Sequence, residues 1–375
     1  MSAPVRVWLN RTYAENLFFI GQLRSNPDGR AVQVHATHTD PDSPVLAAAD
    51  HCGLEPDGLS PEAYTEFALD HCARHAIDVF LPRLHQQAIG ERRAEFAALG
   101  TALATPPPHA VAALANKADG YLAMAAAGLP VPPWWRVRTA AELLAAVELI
   151  EAQGGQPCLK PVAGAGGQGF RILSRRPFAL DQLAGDPGPV VRLDQVLAAL
   201  GEPGARVDWL VMPYLAGPEV SVDCLAAPGG EVLAAVGRVK LGRRRSFTLD
   251  PAYLAPAREL VAHFGVSYLS NVQFRHHHGV PVLIDVNTRP AGGLHQLARC
   301  GLNLPWAAVR LALGEPVGPL EPVTLGADYT LVSGVHPVLA AEPAVTAALP
   351  APRRAPEAAR VSEAARASEA ARVPA

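Results

Sequence analysis

Short apolar runs alternate with helical patterns through the first hundred residues of the chain. VRVWL (5–9) predicts a strand followed by a helix over roughly 13–24, and VQVHAT (32–37) and IDVFLP (77–82) predict two further strands. Between them PEAYTEFALDHCARHA (61–76) reads as a helix, opened by Pro61 behind Ser60 as its cap. This alternation predicts a small parallel sheet of the Rossmann type. The first strand runs into LNRTYAE rather than a glycine fingerprint, so this unit is not expected to bind a dinucleotide.

TPPPH (105–109) marks a joint, after which comes a helical run carrying Lys117 and a second break at GLPVPPWW (128–135). An alanine-rich helix is expected over 140–152. Beyond Gly201 the pattern turns strand-like, with WLVMPYL, EVSVDCLAA, a turn at PGG, and EVLAAVGRVKL. A helix is expected over 251–265, and NVQFR and VPVLIDV read as strands joined by a loop holding His276, His277, His278 and Gly279. A last helix is expected over about 303–314. From about Ala340 the chain becomes alanine, proline, arginine and glutamate, with EAARVS, EAARAS and EAARVP in succession over 357–374. A six-residue step turns the helical face by about 240° each time, so no apolar stripe forms. A disordered or partly helical tail is expected, with a partner-binding helix as the alternative.

Composition narrows the classes. The chain has 375 residues, enough for two or three domains, and 49% of them are hydrophobic. Charged residues make up 18%, below the usual ~25%, and the net charge of -3 provides no global basic field for nucleic acid or a membrane surface. Five cysteines, odd in number and without C-x-x-C, fit a reducing, cytoplasmic setting better than a disulfide framework. No apolar run is long enough to cross a bilayer, and MSAPVRVWLN has no secretory-signal pattern.

The chemistry concentrates in three stretches. CLKPVAGAGGQGFRIL (158–173) holds G-x-G-x-x-G at Gly164, Gly166 and Gly169. A Rossmann loop would be followed by a helix, and a P-loop would end in GK[ST], whereas FRIL here reads as a second strand. A kinase would carry its lysine on the following strand, with HRD and DFG later, and none of these is present. What remains is a glycine flap at a hairpin tip, with Gly164, Gly166, Gly167 and Gly169 folding over a triphosphate while Lys160 on the entering strand meets the α- or β-phosphate. The alternative is a surface hairpin with a solvated lysine. VMPYLAGPEVSVD (211–223) suits a hinge whose backbone pairs with adenine and whose Glu219 accepts from ribose hydroxyls.

In NVQFRHHHGVPVLIDVNTRP (271–290), Asp285 and Asn287 are two apart on a strand and face one way, and Gln273 joins them across the hairpin. Three oxygen-bearing side chains suit a hard cation held by phosphates, and Arg289 two residues further on can meet a phosphate. Arg238 and Lys240 alternate onto one face and would reach the γ-phosphate or a substrate carboxylate. Arg243–Arg245 are expected in a solvated loop. Arg83 stands where open α/β sheets bind ligands, and His295 is open to either acceptor contact or packing. The three adjacent loop histidines are expected on an exposed tip, poorly placed to chelate.

Taken together, these segments over roughly residues 1–325 resemble the ATP-grasp superfamily. LANKADGYLAMAAAGLPVP resembles its first lysine helix, with Lys117 in the nucleotide-contacting place. CLKPVAGAGGQGF resembles the second lysine and flap, VMPYLAGPEVSVD the hinge, and NVQF…VLIDVNTRPAGG the metal-binding strands. GRVKLG, NVQF, NTRPAGG and GLNLPW look closest to the ATP-grasp proteins of tellurite-resistance-type stress operons. The resemblance implies an α/β Rossmann-like pre-ATP-grasp domain at 1–108 and a two-lobed α+β ATP-grasp domain at 109–335, with a lid at about 134–212 and the tail at 336–375. It implies ATP with Mg²⁺ or Mn²⁺, and a ligase that activates a small carboxylate as an acylphosphate and couples it to an amine or similar nucleophile. Met212, Tyr214 and Leu215 would line the adenine. Met212 replaces the family's first hinge acid, Pro213 lacks an amide hydrogen, Asp285 stands for the usual glutamate, and Gln273 is neutral. A non-catalytic nucleotide-binding regulator and a biotin-carboxylase-like component stay open as alternatives, as does a homodimer.

Overall fold

The computed structural model describes residues 3–164, 167–177, 188–322 and 324–338. Gly166 of the glycine segment and the EAAR repeats lie outside the described residues.

The first sheet contains β1 (Val5–Asn10), β2 (Val32–His38), β3 (His51–Leu54), β4 (Val79–Leu81) and β5 (Ala102–Leu103). All pairings are parallel, in the order β3-β2-β1-β4-β5. The sequence pattern predicts only three of these strands. β3 and β5 are too short and too mixed in polarity to show a period of two. Ser60 does cap the helix Pro61–His75, accepting from the Ala63 amide, and Ala76 closes it in the left-handed region. The helix expected from 13 opens as a single 3-10 turn, Ala14–Asn16, before Leu17–Arg24 becomes α-helical.

A second sheet contains β6 (Trp135–Val137), β7 (Pro157–Pro161), β8 (Arg171–Ser174), β9 (Val190–Arg192) and β10 (Trp209–Pro213), in the order β6-β10-β7-β8-β9. β7 and β8 are antiparallel neighbours, so the glycine segment between them turns a hairpin. The helix Ala140–Ala152 starts in a reciprocal capping box between Thr139 and Glu142. It buries Leu143, Val147 and Ile150 against Leu159 and Val211 of the sheet.

The third sheet is antiparallel throughout and has six strands: β11 (Glu219–Ala226), β12 (Val232–Leu241), β13 (Arg244–Thr248), β14 (Tyr268–His277), β15 (Val280–Asn287) and β16 (Tyr329–Thr330). Their order is β15-β14-β11-β12-β13-β16. Two expectations are corrected here. Arg244 and Arg245 belong to a strand rather than a solvated loop, paired across to Leu241 and Lys240. His276 and His277 finish β14, so the turn itself is His278–Gly279, both at positive φ.

The register of this sheet sorts its side chains onto two faces. Val220, Val222, Cys224, Val272 and Phe274 share a core with Leu254, Ala257 and Val261 of the helix Pro251–Phe264. The alternate positions carry polar groups. Glu219 lies opposite Lys240, and Ser221 opposite both Arg238 and Gln273. Asp223 lies opposite Asn271, Gln273 opposite Asp285, and Asn271 opposite Asn287. A period-two chain puts all nine on one side. The final helix, Leu304–Ala312, buries Trp306 in a core shared between the first and third sheets. Among the described residues no helix is long and apolar enough to cross a membrane.

Candidate active site

The polar face of the third sheet floors a cleft roofed by the β7–β8 hairpin. A cavity of about 260 Å³ is lined by Lys117, Lys160, Gly164, Gly167, Phe170, Met212, Tyr214, Leu215, Glu219, Gln273 and Asp285. It therefore gathers residues separated by as many as 168 positions in the chain.

Lys160 reaches across from the roof. Its Nζ donates to the Ile284 carbonyl at 2.5 Å and to the Tyr121 hydroxyl at 3.1 Å, and it lies 5.0 Å from the Tyr121 ring centre. Burial pulls this ammonium down to about 8, against the nearby Asp285 carboxylate, which holds it up. Tyr121 itself donates to the same Ile284 carbonyl at 2.8 Å, which ties the helix Lys117–Ala126 to β15. Lys117 stands at the start of that helix, capped by Asn116. Its Nζ donates to the Gly164 carbonyl at 2.5 Å and lies 3.9 Å from Asp285. Both lysines thus converge on Asp285 from different elements. Gly164, Gly167 and Gly169 all have positive φ. At Gly169 a Cβ would come within 2.6 Å of the Pro161 ring, so the hairpin requires glycine there.

At the other end of the cavity Met212, Pro213, Tyr214 and Leu215 form a wall. The Tyr214 amide, expected to be open to a base, donates to the Gln156 carbonyl at 2.6 Å. Among the described residues no hydrogen bond engages the Leu215 amide, which leaves it as the donor available on this wall. Glu219 is not free either. Its Oε1 accepts from Lys240 at 2.6 Å and from the Ser221 hydroxyl at 3.2 Å. Burial alone would raise this carboxyl, but Lys240 and then Arg275 carry it below its ordinary value.

The floor holds the three expected oxygen ligands. Gln273 donates its amide nitrogen to Asn271 at 3.1 Å, and Asn287 donates to Asp285 at 3.3 Å. With both amide nitrogens engaged within the sheet, the two carbonyl oxygens and the Asp285 carboxylate are left for a cation. This donor set, all oxygen with a single carboxylate, fits magnesium held mainly by phosphates, and among the described residues no group of three or more His, Cys, Asp or Glu is placed to hold a metal ion.

A second cavity of about 400 Å³ shares Gly167, Glu219, Gln273 and Asp285 with the first, and adds Tyr13, Glu15, Arg238, Lys240, Asn287, Arg289 and Gly292. Arg289 donates to the Tyr13 hydroxyl at 3.0 Å, and burial lowers its pKa. Arg238 differs from expectation. It lines this cavity, but the residue is only 1% exposed and its guanidinium is bound by Asp223, with Nη2 donating at 3.2 Å. Arg238 is thus a buried, neutralised cation rather than a free one. Arg83 turns away to the Arg11 carbonyl at 2.6 Å and stacks 3.8 Å over the Tyr13 ring. His295 packs on Phe18 and hydrogen-bonds Gly292.

Sequence reasoning missed Tyr13, Glu15, Tyr121, Asp223, Asn271 and Arg275. The acid and amide in VSVD and SNVQF were visible as polar breaks in apolar strands, and alternation alone would have put both on the cleft side. Tyr13 and Glu15 come from the first unit of the chain, where nothing local signals a site.

Residues 205–335 match the family described as ATP-grasp in the biosynthetic pathway with Ter operon. Solved structures of low sequence identity share the architecture over most of the chain. N5-carboxyaminoimidazole synthetase from Staphylococcus aureus superposes with a TM-score of 0.60 at 11% identity, covering 86% of this chain and 81% of that one. Over residues 205–335 the chain thus resembles an ATP-grasp family, and its overall fold is that of the solved enzymes it superposes on. Biotin carboxylase from Campylobacter jejuni gives a TM-score of 0.61 at 15% identity, covering 86% and 74%. The L-amino acid ligase from Bacillus licheniformis gives 0.56 at 15%, covering 85% and 76%. Among curated sequences, the uncharacterized protein y4rH of Sinorhizobium fredii (strain NBRC 101917 / NGR234) is 28% identical over 229 residues. That match covers 56% of this chain and 44% of y4rH, so the chain spans less than half the length of the curated relative it matches.

Proposed function

We propose that this protein is an ATP-grasp enzyme, an ATP- and magnesium-dependent ligase which activates a small carboxylate as an acylphosphate and couples it to an amine or similar nucleophile. One observation carries the reading. Lys160 beside the glycine segment lines one cavity together with Gln273 and Asp285 of the floor, and that cavity adjoins a second one holding Asn287, Lys240 and Arg289. A nucleotide in the first cavity would have its base at the Met212–Leu215 wall and its phosphates between the two lysines and the floor. Its terminal phosphate would then point into the second cavity. The known structures sharing this architecture include ligases and carboxylases, which agrees with the reading.

Positioning and charge account for most of the chemistry such a site requires. Magnesium, when held by Gln273, Asp285 and Asn287, supplies charge neutralisation for the phosphoryl group. Lys117 and Lys160 exchange their carbonyl partners, Gly164 and Ile284, for phosphate oxygens. Arg289 holds the carboxylate that attacks the γ-phosphorus. The bond from that phosphorus to the bridging oxygen breaks, and ADP leaves with the electron pair. The amine then displaces phosphate from the acyl carbon and gives up a proton. No covalent enzyme intermediate is involved, consistent with Cys158 and Cys224, whose thiols burial pushes up to about 12.

The test is ATP-dependent phosphate release across a panel of carboxylates and amines, with mass spectrometry of the product. Lys160→Ala and Asp285→Ala should each lower turnover by at least about 100-fold, the scale of losing one preorganised charge in a dry site. Turnover persisting in the doubly substituted protein would rule the mechanism out. Nucleotide binding without turnover on any panel member would favour a regulator.

A further inference from the structure

The second cavity contains more charge than the reaction accounts for, and most of it cancels internally. Arg238 is spoken for by Asp223, and Lys240 by Glu219. Asp285 lies between Lys117 and the metal donors. When these pairs are set aside, two opposite charges remain on the cavity wall, Arg289 and Glu15. Among the described residues neither has an ion-pair partner within 4.0 Å. Arg289 is held by Tyr13, whose hydroxyl accepts from Nη2 and whose ring centre lies 5.1 Å from the guanidinium. Glu15 comes from the same short segment. A Cβ placed on Gly292 would lie 3.5 Å from the Glu15 carboxylate and 3.8 Å from the Tyr13 ring, so the acid, the ring and the bare glycine meet at one corner. Tyr13 is in turn clamped by Arg83 on its face. A fixed cation and an unpaired anion therefore flank one aromatic ring in a single cavity.

We infer that this cavity takes a zwitterionic amino acid, its carboxylate on Arg289 and its ammonium on Glu15. Glu15 is exposed at the cavity rim, so a substrate bearing only a carboxylate would forgo its attraction, whereas one bearing only an amine would leave the half-buried Arg289 unpaired. His295, the titratable neighbour of Glu15, is kept below its ordinary pKa by burial and does not supply the missing cation at neutral pH. Lys240 is the other nearby ammonium, and its partner Glu219 already occupies it at 2.6 Å. The inference rests on the ligase reading above for the direction in which the carboxylate faces.

The experiment uses the full chain and measures phosphate release with each of the common α-amino acids. Each is compared with its deamino acid, which has the carboxylate alone, and its decarboxylated amine. At least one amino acid should exceed both of its analogues about tenfold or more. Glu15→Gln should raise the KM for that amino acid by about tenfold or more, with a smaller change in kcat, and leave the KM for the deamino acid as it was. The Kd of a non-hydrolysable ATP analogue, read on the same variant, reports whether the neighbouring cleft is intact. A deamino acid as good as its parent, or a Glu15→Gln variant with unchanged KM, overturns the zwitterion inference while leaving the ligase standing. If nucleotide binds but no amino acid stimulates release while simple carboxylates do, the inference falls in the same way. If the analogue fails to bind the unsubstituted protein, the ligase reading falls first.

Discussion

Two sheets of this molecule bury polar groups, and they do it by opposite means. On the cleft face of the third sheet, Asp223, Arg238, Ser221 and Asn271 are essentially inaccessible, yet Arg238 and Asn271 both donate to Asp223. Charge is buried there as charge, with its partner across the strand. Over the first sheet, β1 and β2 and the helix Pro61–His75 pack His35 and His71 around Trp8, with His51 and His75 at the margin. His71 stacks 4.2 Å from Trp8, and neither of its ring nitrogens finds a hydrogen-bond partner among the described residues. Those rings are buried by being kept neutral. The lesson is that the cleft holds charge at fixed positions and so pairs it, whereas the histidine layer packed around Trp8 keeps its titratable groups neutral; the buried Glu55 beyond β3 follows the cleft's rule, paired with Arg11.

The sharpest way to break the comparison is to remove one half of the cleft's buried pair. Arg238→Met leaves Asp223 as an uncompensated carboxylate with only Asn271 to serve it. Loss of one member of such a pair costs about 3–5 kcal/mol, and urea unfolding should show it as a lowered midpoint at unchanged slope. Adding Asp223→Leu to the same chain should recover most of the loss, because two apolar groups replace two charges. A single variant as stable as the parent would mean that Asp223 is not held as a charge. Activity sharpens the point further, since a stable double variant that also turns over would exclude Arg238 from the chemistry.

How far the sequence alone reveals these two regions differs for a physical reason. Period-two alternation is local, so Gln273, Asp285 and Asn287 stand out within their own strands as polar breaks in apolar runs. Lys160 and the glycines likewise declare a hairpin, because glycine is required where φ is positive and a Cβ would strike Pro161. The histidine layer has no such signature. His35, His51 and His71 come from three elements, and only the parallel pairing of β2 with β3, which sets His35 beside His51, brings two of them together. β3 itself was not predicted. The same blindness hid Glu15 and Tyr13, which reach the cleft only because the first unit packs against the third sheet. Arg243 lies in the exposed turn as expected, but Arg244 and Arg245 failed differently, since consecutive arginines look like solvent-facing loop even when two of them open a strand near a sheet edge.

The second prediction separates the regions by pH. Burial lowers His35 to about 4 and His71 to about 2, from an ordinary 6.5; His51, His75 and Arg6 push His35 the same way with Asp50 opposing, and His75, His35 and Arg74 do so for His71. A folded pKa below the unfolded one means that the unfolded chain takes up the proton first as pH falls. The stabilising contribution is therefore complete above about 6.5 and is lost as pH drops, down to about 4 for His35 and beyond for His71. Each histidine contributes a slope of up to about 1.4 kcal/mol per pH unit in its window. His71→Phe should flatten the acid limb of a stability curve by close to one proton, while turnover at pH 7.5 is retained. The cleft should fail at the other end, because Lys160 in the nucleotide-free protein loses its proton near 8 and nucleotide affinity should weaken above that. An acid limb unchanged in His71→Phe would place the proton uptake elsewhere.

The smallest effect belongs to the outer edge of the same sheet that carries the cleft. Arg244 is paired with Asp328 where β13 meets β16, and both side chains are largely solvated. By contact alone this pair looks as close as the one between Arg238 and Asp223, six residues away in sequence from Arg244. Its setting decides otherwise: in water the attraction is screened and two flexible side chains lose freedom to make it, so such pairs give about 0–1 kcal/mol. Arg244→Ala should therefore cost at most about 1 kcal/mol of unfolding free energy, well below the loss in Arg238→Met, and 0.5 M salt should erase most of what difference there is. A loss of several kcal/mol at Arg244 would show that burial does not set the difference between the two pairs, and would remove the basis for ranking the cleft's charges by their exposure.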